Sequence, residues 1–237
     1  MDIIEEFRDN LISYGMSVSE EQLDLFNRYY DLLIEWNEKI NLTAITEKRD
    51  VFIKHFLDSV SIIKAYDISS IDYMIDVGTG AGFPGIPIKI MFPHIKITLL
   101  DSLNKRLVFL NEVISELNLN NIVTVHGRAE DIAKDIKYRE QYDLCVSRAV
   151  ANLSTLTELC LPFVRTGGSF ISYKSEKASE EINAAGNAIR LIGGRYNKRI
   201  DFELDDYDRT FIVIDKVEAT PRRYPRKAGT PAKEPLV

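Results

Sequence analysis

The chain has 237 residues, 45% of them hydrophobic, and carries a formal net charge of −6 at neutral pH. That is enough apolar material for one substantial core and an extension. It holds neither an apolar run long enough to span a bilayer nor a charged-then-apolar leader at Met1, so a cytoplasmic protein with no membrane partner is expected. Two cysteines, Cys145 and Cys160, and three scattered histidines, His55, His94 and His126, form no disulfide or zinc framework, and no bound metal is expected.

The first element is helical. Ser19-x-x-Gln22 is a capping box flanked by the hydrophobic staple Val18 and Leu23, and Leu23, Phe26, Tyr30, Leu33 and Ile40 then recur at helical spacing. A second pattern over 50–65 places Ile53, Phe56, Leu57 and Val60 on one face. Residues 1–70 therefore read as a helical extension.

From Tyr73 the pattern changes. A short apolar strand ends in Asp76-Val77-Gly78-Thr79-Gly80-Ala81-Gly82-Phe83-Pro84-Gly85, a run that closes a strand and opens a helix. Glycines allow a tight turn and close backbone approach to a ligand, and the following helix offers unpaired N–H groups. Pro84 and Pro87 suit a first helical turn. Gly80-x-Gly82-x-x-Gly85 satisfies the dinucleotide fingerprint, and Asp101 ends the next strand about 20 residues on, so a nicotinamide cofactor is one reading. Asp76 argues for another. A carboxylate there attracts an amino group and repels a pyrophosphate, and S-adenosylmethionine has the amino group without the phosphate.

Further β-rich runs follow at 97–101, 122–125, 142–146 and 168–173, alternating with helices, which implies a mainly parallel sheet covered on both faces. Leu103, Leu107, Leu110, Ile114 and Leu117 make an apolar stripe, with Ser102 as the N-cap. After a helix over 178–192, Gly193-Gly194 breaks the chain. Two runs, 195–204 and 210–217, separated by Asp205-Asp206-Tyr207-Asp208, read as an antiparallel hairpin. A five-strand parallel core closed by a hairpin is the seven-strand, Rossmann-like topology of S-adenosylmethionine-dependent methyltransferases, here over 71–218; a dehydrogenase more often continues with parallel units. In the tail, 219–237, Pro221, Pro225, Pro231 and Pro235 preclude regular structure, so it is expected to be extended or disordered by itself.

In such a sheet the ligand lies beyond the carboxyl ends of the strands. Gly78, Gly80 and Gly82 form the loop, and Phe83 packs either against the ligand or in the core below. Asp101 is either a bidentate acceptor for ribose hydroxyls or a helix N-terminal acid. Gly127-Arg128-Ala129-Glu130-Asp131 either reads an adenine edge or caps a helix. Arg148, in Ser147-Arg148-Ala149-Val150, either orients substrate or cofactor carboxylate, or is bound to a structural acid. The last motif lacks the Asn/Asp-Pro-Pro-aromatic pattern of exocyclic-amine methylation. Cys145 and Cys160 lack the Pro-Cys context of cytosine C5 methylation and read as small buried hydrophobes. What remains is an acceptor that is already nucleophilic, such as guanine N7, for which proximity and orientation suffice and no residue is singled out as acid or base.

The chain resembles the bacterial small-subunit ribosomal RNA methyltransferase RsmG family, also called glucose-inhibited division protein B. The resemblance covers nearly all of it: Asn41-Leu42-Thr43, Lys54-His55-Phe56-Leu57-Asp58-Ser59, the run from Asp76 to Pro87, Gly127-Arg128-Ala129-Glu130, Ser147-Arg148-Ala149, and Tyr224-Pro225-Arg226-Lys227-Ala228-Gly229-Thr230-Pro231 with Pro235-Leu236. It implies methyl transfer from S-adenosylmethionine to N7 of one guanosine in 16S ribosomal RNA, on naked RNA or the small ribosomal subunit, with cofactor contacts at Gly78, Phe83, Ala129, Glu130 and Arg148. The alternative is a non-catalytic RNA-binding assembly factor; the intact Asp76 and glycine loop argue against it. From Lys216 onward six bases stand against Glu218 and Glu234, although the whole chain is acidic. Arg222, Arg223, Arg226 and Lys227 around Tyr224 are the candidate RNA contacts, in a tail expected to order on RNA. Asn41 and His55 receive no role, and the oligomeric state defaults to monomer.

Overall fold

The computed structural model describes residues 2–148, 151–174 and 178–236; Ala149 and Val150, the end of the fourth candidate motif, lie outside them. Helix α1 (Ile3–Ser13) is followed by α2 (Glu20–Ile40), which opens on the expected box: Gln22 N donates to Ser19 Oγ at 3.2 Å and Ser19 N to Gln22 Oε1 at 2.9 Å. The buried stripe of α2 is Leu23, Phe26, Tyr29 and Leu33; Tyr29 is fully buried, whereas Tyr30 is half-buried at the core's edge. Both tyrosines fit the helical spacing, and the choice is made by a hydrogen bond from Tyr29 to the glycine loop. Asn41 ends α2 in the left-handed region (φ 49°), the capping position its side chain suits.

The expected helix over 50–65 is composite: α3 (Lys48–Val51), a wide π-helical stretch (Phe52–Leu57), α4 (Asp58–Val60) and a 3-10 turn (Ser61–Lys64). Ile53, Phe56, Leu57 and Val60 are buried as the pattern requires. Phe7, Phe26, Phe52, Phe56 and Tyr29 pack ring against ring and join the same buried cluster as Phe83 and the sheet residues Met74, Leu99 and Val146. The extension and the sheet thus share one core, to which these aromatic rings contribute large buried surfaces.

The sheet has seven strands in the order β3-β2-β1-β4-β5-β7-β6. β1 (Tyr73–Val77), β2 (Lys96–Asp101), β3 (Ile122–His126), β4 (Tyr142–Arg148) and β5 (Val164–Lys174) are parallel; β7 (Tyr207–Lys216) runs antiparallel between β5 and β6 (Gly194–Leu204). The chain reverses outward from β1 on both sides, so the carboxyl ends of β1 and β4 diverge to leave a crevice at the switch point. Helices α5 (Gly85–Met91), α6 (Asn104–Glu116), α7 (Ala129–Ile132), α8 (Leu153–Cys160) and α9 (Ala178–Leu191) cover the sheet. On α6 Leu107, Leu110 and Leu117 of the apolar stripe are buried and Ile114 is half-buried, but Leu103 is exposed, and Ser102 does not cap the helix. No side chain caps α6; Asp101 Oδ1 accepts from Leu103 N at 2.8 Å in the turn just before it. The hairpin turn is tighter than expected, because β7 already begins at Tyr207.

The tail corrects a sequence expectation. Its described part is packed, with a short helix α10 (Thr230–Lys233) beginning at the left-handed Gly229. Tyr224, Pro225 and Pro231 are buried, and Arg139 donates to the carbonyls of Thr220 (2.7 Å) and Tyr224 (3.0 Å). Arg226 is not free for phosphate. It forms an ion pair with Glu158 of α8, a carboxylate only 1% exposed that needs a cation to be buried at all. That partner lies far away in sequence, which is why local composition pointed to disorder. Arg222, Arg223 and Lys227 remain exposed, with the Arg223 guanidinium 5.1 Å from the Tyr224 ring.

Candidate active site

The glycine run leaves β1 and folds back over it. Gly78 N and Thr79 N donate to Leu100 O of β2, and Gly80 N donates to Asp101 Oδ2 at 2.9 Å, so the loop is pinned to the carboxyl end of β2. Gly78, Gly80 and Gly82 all have positive φ. At Gly82 a Cβ would lie 2.6 Å from the Tyr29 hydroxyl and 2.7 Å from Ile86, and at Gly85 it would lie 2.3 Å from Leu99, so α2 and α5 pack directly on bare backbone. At Gly80 nothing comes within 4 Å except Gly78 O at 4.0 Å, leaving open space on that face of the loop.

Asp76 is fully buried beneath this loop. Its Oδ2 accepts from Thr79 Oγ1 (2.7 Å) and Gly85 N (2.9 Å), while Oδ1 has no hydrogen-bond partner. Burial pushes its carboxyl up to about 6, against the pull of those two bonds and of Arg148. An orphaned buried carboxylate oxygen beside an open glycine cradle fits a ligand carrying a positive amino group, as the sequence argument required. Asp101 is 3% exposed and braces the protein: Gly80 N and Arg106 Nη1 (3.3 Å) donate to Oδ2, and Leu103 N donates to Oδ1. It thus fixes the turn between β2 and α6, while its Oδ1 keeps lone-pair capacity toward a hydroxyl.

Phe83 sits in the core, with the ring of His55 stacked on it at 4.6 Å and the Arg148 guanidinium 4.9 Å from its centroid. Arg148 is bound to a structural acid, Asp58, at 2.9 Å, and Arg209 of β7 donates to the other oxygen of the same carboxylate at 2.8 Å. His55 Nδ1 lies 3.4 Å from Arg148 Nη2, and its Nε2 lies 2.9 Å from Thr43 Oγ1. Nδ1 also lies 3.2 Å from the backbone carbonyl of Lys54. Burial first, and Arg148 second, push His55 down to about 3, so it is neutral at any working pH. A continuous chain therefore runs Thr43–His55–Arg148–Asp58–Arg209, joining the helical extension, β4 and the terminal hairpin beside the loop.

Ala129 and Glu130 begin α7, just past β3, and Gly127 N donates to Asp101 O at 3.1 Å. Glu130 accepts from Gly229 N of the tail at 2.8 Å. Asp76, the glycines, Phe83 and Arg148 are thus brought together at the switch point, and Asp101, Ala129 and Glu130 line up along the neighbouring strand ends. Arg222, Arg223 and Lys227 lie on the tail surface. Sequence reasoning passed over Tyr29, Asp58, Glu158 and Arg209. For Asp58 a signal was present, an acid set between the core residues Leu57 and Val60; for the others the partner is too distant in sequence to leave one. Among the described residues no group of three or more histidine, cysteine or acidic side chains could hold a metal ion, and no helix is long and apolar enough to cross a membrane.

Comparison with known proteins agrees with this geometry. The family described as rRNA small subunit methyltransferase G matches residues 22–202. The ribosomal RNA small subunit methyltransferase G of Lachnoclostridium phytofermentans is 53% identical over 98% of this chain and 96% of its own length, and that of Bacillus subtilis 48% identical over 98% of each. Among solved structures, TrmN from Thermus thermophilus superposes with a TM-score of 0.55 at 15% identity, covering 68% of this chain and 49% of that one. TYW2 of M. jannaschii, determined in complex with AdoMet, superposes with a TM-score of 0.50 at 12% identity over 68% and 77%. At such identities these two show a shared Rossmann-like fold.

Proposed function

The chain belongs to the rRNA small subunit methyltransferase G family, and from that premise we propose that it methylates N7 of one guanosine in 16S ribosomal RNA. It is an S-adenosylmethionine-dependent rRNA methyltransferase. The observation that carries the cofactor reading is the unpartnered Asp76 Oδ1 beneath an open glycine loop at the carboxyl end of β1. When bound, S-adenosylmethionine supplies an electrophilic methyl group. Asp76, Gly78, Gly80 and Gly82 hold its amino-acid end, Asp101 its ribose, Ala129 and Glu130 its adenine, with Phe83 and Arg148 closing the side toward the helical extension.

Guanine N7 is already a nucleophile, so the protein needs to orient and exclude water rather than remove a proton. The neighbourhood suits that task. His55 is neutral and committed to Arg148 and Thr43, and Asp58 is committed to two guanidiniums, so neither is free to act as a base. Arg222, Arg223 and Lys227, exposed on a prefolded tail, contact RNA phosphates. The protein acts as a monomer in the cytoplasm. S-adenosylhomocysteine is expected to raise the unfolding temperature and NADH to leave it unchanged; protection by NADH alone would overturn the cofactor reading.

A further inference from the structure

We infer that the C-terminal segment is part of the cofactor site: it positions Glu130, and the Arg226–Glu158 pair is the clasp that holds it there. The inference rests on the proposal above that Glu130 contacts the cofactor.

Glu130 is 7% exposed, and its Oε1 is taken by Gly229 N at 2.8 Å. Among the described residues Oε2 has no protein partner, so one oxygen faces the tail and the other is left for a ligand. Tyr224 of the tail belongs to the same buried apolar cluster as Ala129, the residue before Glu130. The segment therefore meets the strand-end motif after β3 through a direct hydrogen bond and shares its apolar cluster.

What keeps Gly229 in place is remote from Glu130. Arg226 N, Nε and Nη2 donate to the Glu158 carboxylate at 2.8, 2.9 and 2.7 Å, and Nη2 also donates to Glu234 O at 2.7 Å, closing the tail into a loop around the guanidinium. Thr155 Oγ1 of α8 donates to Pro231 O at 3.0 Å, a second anchor on the same helix. A planar guanidinium with a bidentate carboxylate fixes direction as well as distance, so Gly229 reaches Glu130 from a defined side. Arg226 and Glu158 are positioning residues, and Arg226, three residues before Gly229, is occupied inside the protein while its neighbours Arg223 and Lys227 face solvent.

Coupling of this kind is reciprocal: a ligand that prefers the ordered Glu130 must stabilise the docked tail by the same factor. The test uses the full-length protein without RNA. Trypsin release of C-terminal peptides cut after Arg223 and Lys227 is followed by mass spectrometry with and without S-adenosylhomocysteine, and the affinity for S-adenosylhomocysteine is measured by calorimetry for wild type, Arg226→Ala, Arg226→Lys and Glu158→Gln. Expected are slower release from wild type when S-adenosylhomocysteine is present, and weaker binding to Arg226→Ala by about 5- to 150-fold, with partial recovery in Arg226→Lys. Ordinary affinity in an Arg226→Ala protein whose tail is released, or a release rate in wild type that the ligand does not change, overturns the inference. Should the substituted proteins not fold, the wild-type digestion decides alone. Failure of wild type to bind S-adenosylhomocysteine is a separate result, which removes the cofactor reading itself and the inference with it.

Discussion

Asp58 of the helical extension and Arg148 at the end of β4 meet as a buried ion pair 2.9 Å apart, and the second oxygen of Asp58 holds Arg209 of the terminal hairpin. One acid thus ties three distant parts of the chain together beside the glycine loop. Replacing Asp58 by alanine leaves two guanidiniums facing each other with no counter-charge. A loss of roughly 3–5 kcal/mol in unfolding free energy is expected, with Arg209→Ala costing less because Arg148 keeps its partner. Urea unfolding measures both, and equal losses would contradict the shared-acid account.

Asp76 is held against its own interest. Its folded-state carboxyl is raised to about 6, whereas an unfolded aspartate titrates near 4. Between those values the folded protein binds the extra proton, so this group's contribution to stability is fully present below about pH 4 and is lost as pH rises through 6. At neutral pH the buried charge costs on the order of 3 kcal/mol. Asp76→Asn keeps the shape, removes the charge and is expected to melt higher at pH 7, to flatten the pH dependence between 4 and 6, and to bind S-adenosylhomocysteine more weakly. A lower melting temperature at pH 7 would speak against it.

The hydroxyl of Tyr29 donates to Ala81 O inside the glycine loop, and its ring stacks on Phe56 at 5.2 Å. Tyr29→Phe keeps the stacking and strips the carbonyl of its donor in a dry site, for an expected cost of about 1–3 kcal/mol. Since the bond lands on the loop, S-adenosylhomocysteine affinity should fall as well; a stability loss with unchanged affinity would confine Tyr29 to the core.

Two glycines give opposite expectations. A Cβ at Gly85 meets Leu99 at 2.3 Å and Asp76 Oδ2 at 3.0 Å, so Gly85→Ala should destabilise by about 1–3 kcal/mol. At Gly186, exposed on α9, nothing lies within 4 Å and the backbone is helical, so Gly186→Ala should stabilise by about 0.5–1 kcal/mol. Thermal melts of the two variants settle the signs.

Much of the fold was legible because it rests on local patterns. The capping box at Ser19, the strand–glycine–helix run at Asp76 and the hairpin after Gly193 each carry their own chemistry in consecutive residues. What was not legible depends on partners brought together by folding. Tyr29 and Tyr30 are equally spaced on α2, and only the distant Ala81 carbonyl selects between them. Arg226 looked like a free cation because Glu158 is 68 positions away, and the bracing of Gly80 and Leu103 by Asp101 left no trace in the sequence beside its candidate ribose role.

The central claim is methyl transfer to guanine N7 on small-subunit RNA. It is tested most directly by incubating the protein with labelled S-adenosylmethionine and 16S RNA or small subunits from a strain lacking the modification, then digesting the RNA to nucleosides. The expected result is label in 7-methylguanosine with wild type and little or none with Asp76→Ala. Label in any other nucleoside, or none on either substrate while S-adenosylhomocysteine binds, would contradict it.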